Sequence, residues 1–149
     1  MIQSILSRKR LVFAVFIILD ILLIMMGMGV PILPILFGIL VGWYLPLYLE
    51  LPVQIIKISL KKLLKAALIT SAVSLVVLGA IWLPALSWLF DPAKDLTQFG
   101  MPLIFFEPRT SFVGWIILMV LISPFLQFLM TVFGAVVRLA YSPFSESNQ

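Results

Sequence analysis

Four apolar stretches follow one another along the chain, each closed by helix breakers or charges. The first runs over 11–28. It ends in GMGVPILP, where two glycines and two prolines interrupt the apolar pattern, punctuation that stops one helix and starts another. A tight hairpin is therefore predicted, with a second helix over 32–49. Trp43, Tyr44 and Tyr48 gather toward its end as an interfacial aromatic belt does, and Glu50 and Pro52 close it. Each of these two stretches is under about 20 residues, enough to cross a hydrocarbon core about 30 Å thick with little to spare.

From Pro52 the pattern changes to PVQIIKISLKKLLK, in which Gln54, Lys57, Lys61 and Lys65 share one helical face and Ile56, Leu60, Leu63 and Leu64 the other. This basic amphipathic segment, 52–65, meets the third apolar stretch, 66–90, with no Gly or Pro between them. One long helix or an interfacial helix bent near Lys65 is expected. Trp82 and Trp88 mark its far interface. Asp91-Pro92 reads as an N-cap with proline at the first helical position, predicting a short helix that Gly100 stops. The loop 91–111 is too short for a domain, and its MPLIFF stretch is too apolar for water, so it lies in the interface or folds back. Thr110 or Ser111 caps the fourth stretch, 112–139. Pro124 inside it kinks the helix without ending it, because neighbouring helices and the Ser123 hydroxyl satisfy the freed carbonyl. The polar tail 142–149 is expected to be disordered.

The predicted fold class is an all-α membrane protein: a bundle of four transmembrane helices in two antiparallel hairpins, forming one integral membrane domain over 1–149. Composition makes lipid the solvent. The 149 residues are 63% hydrophobic and 11% charged, with a mean hydropathy of +1.23, which leaves too little polar surface to cover a soluble core. The charge supplies the orientation. Arg8, Lys9, Arg10, Lys57, Lys61, Lys62, Lys65 and Arg138 fall on one membrane face if the chain crosses four times, and only Lys94 and Arg109 on the other. Excess Lys and Arg in short loops marks the cytoplasmic side. Both termini are thus expected in the cytoplasm, in a plasma (inner) membrane, and the net charge of +4 is explained by topology without nucleic acid. Arg8-Lys9-Arg10 ahead of 11–28 also resembles a signal peptide, with GMG imitating a cleavage site, but Asp20 at its centre argues for a retained signal anchor.

The chain has no Cys and no His, which removes disulfides, the usual zinc and haem ligands and the commonest general base. No cofactor and no metal are expected. An aspartyl intramembrane protease needs two deep carboxylates and a Ser/Lys dyad needs a deep lysine; Asp20 alone is deep, and the lysines lie at span ends. The chain is therefore read as a non-enzyme. The two halves also differ too much for the matched inverted repeats of many transporters.

Depth counting gives the sharpest expectation. At about 1.5 Å per residue, Asp20 lies about 15 Å from Arg10, Gln127 about 16 Å from Arg138 and Ser74 about 13 Å from Lys65, so three polar groups share a level near the midplane. Ser71, Ser123 and Thr131 lie within about a turn of it. A carboxylate there disfavours insertion by at least about 2.5 kcal/mol, so it must face other helices, find partners or stay protonated. Asp20 then either bonds helices together, with Gln127 or Ser74 as partner, or serves as the titrating group of a proton or cation pathway. Gly38-x-x-x-Gly42, preceded by Gly27 and Gly29, allows close helix approach within the chain or between copies. Lys57, Lys61, Lys62 and Lys65 set topology, bind anionic lipid headgroups or dock an acidic partner. Glu107-Pro108-Arg109 is expected to form an exposed ion pair of under about 1 kcal/mol at the outer turn, the alternative being a gate at the outer mouth of a pathway or a ligand contact. These features predict a membrane subunit or scaffold, working through other membrane subunits, its own copies or lipid. The alternative is a small oligomeric ion- or proton-coupled transporter or channel using Asp20.

Overall fold

The computed structural model describes residues 9–27, 31–49, 56–97 and 99–146. Among them are only helices and turns: α1 (Lys9–Met26), α2 (Ile32–Tyr48), α3 (Ile56–Trp82), a 3₁₀ segment (Leu83–Phe90), α4 (Pro108–Ile117), a π-helical turn (Leu118–Ile122) and α5 (Ser123–Glu146). Pro52 and Gln54, the expected start of the basic segment, lie outside the described residues.

Breakers determine where these elements change. No proline lies between Ile56 and Leu83, so α3 carries Lys57 through Lys65 into the apolar run as one continuous helix. At Pro84 an α-helical ring would press on the carbonyl four residues earlier. The chain answers by tightening into the 3₁₀ segment, with proline at its start. Continuous helix over Leu60–Phe90 (31 residues) and Pro108–Tyr141 (34 residues) is long and apolar enough to cross a membrane; Leu11–Met26 and Ile32–Tyr48 are shorter apolar helices.

Three local expectations are corrected. The short helix after Asp91 does not form. The Asp91 carboxylate accepts the Ala93 N–H at 3.0 Å, its carbonyl accepts the Lys94 N–H at 3.1 Å, and Asp95 repeats the arrangement on Thr97 at 2.9 Å. Such turns use the same side-chain oxygen as a helix cap, and they close before a second helical turn can start. Next, α4 begins at Pro108, with Glu107 before it, rather than at Phe112. Proline at the first helical position is already set for the helix and lacks an N–H that would have no partner there. Finally, 142–146 continue α5 where a disordered tail was expected over 142–149, of which 147–149 lie outside the described residues. Extending an existing helix needs no new nucleus.

The closest helix pair is α2 with α5. A Cβ on Gly42 would stand 2.0 Å from the Thr131 carbonyl oxygen, and one on Gly134 would stand 2.3 Å from that of Ile39. Each backbone thus occupies the space a side chain of the other would need, and Gly38 does the same beside the Gln127 carbonyl at 2.7 Å. The Gly38-x-x-x-Gly42 face is therefore taken up within the chain. Two apolar clusters flank this contact: Leu45, Leu63 and Ala135 toward one end, and Leu96, Phe112, Ile116 and Val120 toward the other. Gly42→Ala should lower stability by about 1–3 kcal/mol through overpacking. Gly79→Ala, whose new methyl would meet only Leu83 Cδ1 at 3.6 Å, should be neutral or slightly stabilising; thermal unfolding of the purified chain in detergent compares the two.

Candidate functional site

α1 buries Phe16, Asp20 and Ile24, spaced by four, while Ile18, Leu22 and Met25 face outward. A carboxylate therefore sits in the middle of the helix's packed stripe. On α3 the packed stripe is Leu63, Ala67, Thr70, Ser71, Ser74 and Leu78; on α5 it is Gln127, Thr131 and Ala135. These three stripes converge on Asp20, which has 0% exposure. The Ser74 hydroxyl donates to Asp20 Oδ2 at 2.5 Å, and Gln127 Nε2 donates to Oδ1 at 2.9 Å. One carboxylate thus joins three helices. Gln127 Oε1 is buried without a hydrogen-bond partner.

The remaining hydroxyls of the layer serve the backbone. Thr131 donates to the Gln127 carbonyl at 2.9 Å, Ser71 reaches across from α3 to the Pro124 carbonyl at 2.9 Å, and Thr70 folds back onto Ala67 at 2.8 Å. The Thr131 hydroxyl thus bonds within its own helix rather than to Asp20. Its oxygen would lie 3.1 Å from a Cβ on Gly38, so it sits at the α2–α5 contact.

Pro124 acts differently from the simple kink expected. The preceding five residues widen into a π turn, and the Leu118 carbonyl receives both the Ser123 N–H and, at 2.7 Å, the Ser123 hydroxyl. The hydroxyl therefore serves Leu118 rather than the carbonyl that proline leaves free. A π turn adds a residue per bond and moves the ring away from the preceding turn. Its sequence signal is only the Ser-Pro pair inside an apolar helix, which also fits an ordinary kink.

At the basic end, Lys61, Lys62 and Lys65 project from α3 into the open, and Lys57 lies in its first turn. Of the segment's apolar face, Leu63 is buried, whereas Leu60 and Leu64 are 45% and 37% exposed. The face that packs is set by the stripe running on into the apolar half, from Leu63 through Ala67 to Thr70. Arg138 of α5 stacks its guanidinium 5.3 Å from the Trp43 ring.

At the opposite end Glu107 and Arg109 form no ion pair. Glu107 instead accepts the Thr110 hydroxyl at 2.6 Å, a partner one helical turn away that needs no long side chain to bend back. Both residues border an open cleft of about 360 Å³ with Asp91, Lys94 and Asp95. The Lys94 ammonium lies 5.3 Å over Trp88. The Thr97 hydroxyl and N–H hold the exposed Asp95 carboxyl below its ordinary range. The MPLIFF segment folds back along α4: the Ile104 N–H reaches Ser111 Oγ at 2.7 Å, Trp115 Nε1 donates to the Pro102 carbonyl at 2.8 Å, and the Phe105 ring lies against Gly114.

No known family model matches the chain, and neither does any curated protein or solved structure.

Chemically, the Asp20 arrangement is a clamp. Leaving a buried polar group without its partner destabilises by about 1–3 kcal/mol, whereas replacing both partners by apolar groups is close to neutral. Asp20→Leu should therefore lower the melting temperature, and adding Gln127→Leu should recover part of the loss. Asp20→Asn should stay near wild type, since its amide accepts from Gln127 and donates to Ser74. Equal melting of Asp20→Leu and wild type would show that the clamp carries no stability.

Proposed function

We propose that the chain is a four-span membrane protein with both termini cytoplasmic, acting as a non-catalytic membrane subunit or scaffold. The carrying observation is the inside-out distribution of polarity. Asp20, Ser74 and Gln127 are buried, while Ile18 at 57%, Leu40 at 58% and Val76 at 67% exposure face outward from three different helices. Water penalises that arrangement and lipid favours it. All four helices share the outward apolar surface, which supports counting the two shorter ones as spans. Lys and Arg at the ends of such short helices reach the interface by extending their stems, and the bilayer thins slightly around them.

The subunit reading follows from how the carboxylate is used. Both its oxygens receive donors from separate helices, which is the geometry of a packing device. The partners this suggests are other membrane subunits or copies of the chain, reached through the outward apolar faces, and anionic headgroups at Lys57, Lys61, Lys62 and Lys65. A second reading, an ion- or proton-coupled transporter, has one observation in its favour: Gln127 Oε1 is a buried acceptor without a partner, next to the carboxylate.

Topology is tested by cysteine labelling, since the chain has no native cysteine. Probes at Ser7, Ser59 and Ser145 should react from the cytoplasmic side and one at Thr97 from the other; two probes changing sides would overturn the four-span arrangement. The role is tested by mild solubilisation from native membranes. Stoichiometric copurification with a larger membrane complex is the expected outcome. Ion or proton flux in proteoliposomes that disappears in Asp20→Asn, with the fold retained, would replace the subunit reading by the transport one.

A further inference from the structure

The contact between α1 and α2 is not closed along its length. A groove of about 420 Å³ runs between them, with Phe13, Phe16 and Leu19 on one wall, Phe37 and Tyr44 on the other, and Thr70 of α3 at its floor. That volume is in the range of small-molecule sites, about 300–1,000 Å³. The floor offers no free donor, because the Thr70 hydroxyl is turned onto the Ala67 carbonyl. Phe13, Phe16 and Phe37 form a row of near-parallel rings with centroids 6.2 and 5.9 Å apart. The occupant must be apolar and narrow.

The length of the groove selects among apolar occupants. It extends from Leu11 to Leu19 on α1 and from Phe37 to Tyr48 on α2, about 12 and 16 Å at the helical rise. This is about half of a 30 Å hydrocarbon core. A partner helix crossing the membrane would call for a seam of the full thickness. An acyl chain from a single leaflet needs half, and the groove stops at Leu19, the residue before the carboxylate layer.

Charge selects the headgroup. On α3, exposed Lys65 and Lys61 precede Thr70 by about 8 and 13 Å along the axis. Glu50 and Glu146 are the carboxylates that the sequence places on this face. We propose that the groove holds one acyl chain of an anionic phospholipid of the cytoplasmic leaflet, with its headgroup on the exposed Lys61, Lys62 and Lys65 of α3. This rests on the four-span reading above, which fixes the depth and the leaflet.

The test uses the full chain reconstituted with equal parts phosphatidylcholine and phosphatidylglycerol, then released into detergent for native mass spectrometry. Wild type should retain one phosphatidylglycerol per chain, enriched over phosphatidylcholine by about tenfold or more, as two to three basic contacts allow. Val41 and Leu40 also line the groove, Leu40 at its outward lip, so Val41→Trp and Leu40→Trp fill it and should lose that lipid. Ile18→Trp, on the outward face beside it, should keep it. The Lys61→Gln, Lys62→Gln, Lys65→Gln triple variant should keep a lipid but lose the preference. Melting curves identify which tryptophan variants are folded, and either one suffices. Lipid retained in the proportion supplied, a folded Trp variant that still binds, or a dimer that both Trp variants abolish would each overturn the proposal. Cysteine labelling of the same samples separates it from its premise: four-span labelling without a retained lipid removes the groove site alone, whereas labelling incompatible with four spans removes the topology and the site together.

Discussion

A carboxylate removed from water must be given donors or it forces the surrounding structure apart. Asp20 sets that condition in the middle of α1, and the other helices meet it. Ser74 and Gln127 supply the two donors from α3 and α5, which fixes the rotation of all three helices about their axes. In the four-span reading proposed above, apolar packing alone does this poorly, because a leucine turned toward lipid loses little. Hydrogen bonds restore a difference between inside and outside. The polar layer therefore specifies the arrangement, and the apolar clusters on either side fill it.

The α2–α5 contact sets a second condition of a different kind. Backbones that close cannot slide, since each glycine sits against a carbonyl of the facing helix. Gln127 and Thr131 lie on this same stretch of α5, so the contact positions the donor that Asp20 needs. The π turn bears on the same point. It lies directly before Ser123-Pro124, and the Pro124 carbonyl is where Ser71 of α3 attaches. The proline thus gives α5 a second link to α3, one turn from the Gln127 amide.

The meeting of Asp20 with Ser74 and Gln127 was legible in the sequence, because helical rise is nearly constant and counting from basic residues gave the three similar axial positions. Rotation was not, since it depends on which faces pack, and a single sequence with outward apolar residues does not mark its inner stripe except by the polar residues themselves. Of the apolar side chains Leu60, Leu63 and Leu64, only Leu63 turns inward, a choice that the pattern of the segment leaves open. Proline effects were legible as interruptions but not in kind, as the 3₁₀ segment after Trp82 and the π turn before Ser123 show. At Asp91 the same residue pair starts a helix or an Asx turn, and only the chain that follows decides. The unpaired Gln127 Oε1 had no sequence signal at all.

The two hairpins differ in length, and this accounts for the form of the outer loop. In the four-span arrangement proposed here the basic residues hold the cytoplasmic ends level, so the extra length of Leu60–Phe90 and Pro108–Tyr141 over Leu11–Met26 and Ile32–Tyr48 emerges on the far side. There the 3₁₀ segment and α4 stand beyond the reach of α1 and α2. Their facing sides would be left bare. Leu96 and Phe99 of the loop instead cover Phe112 and Ile116, with the Phe99 ring edge-on to Phe112 at 5.2 Å, and the MPLIFF segment lies along α4. The loop thus takes, for the longer hairpin, the place that α1 and α2 hold lower down. Its apolar sequence follows from that role.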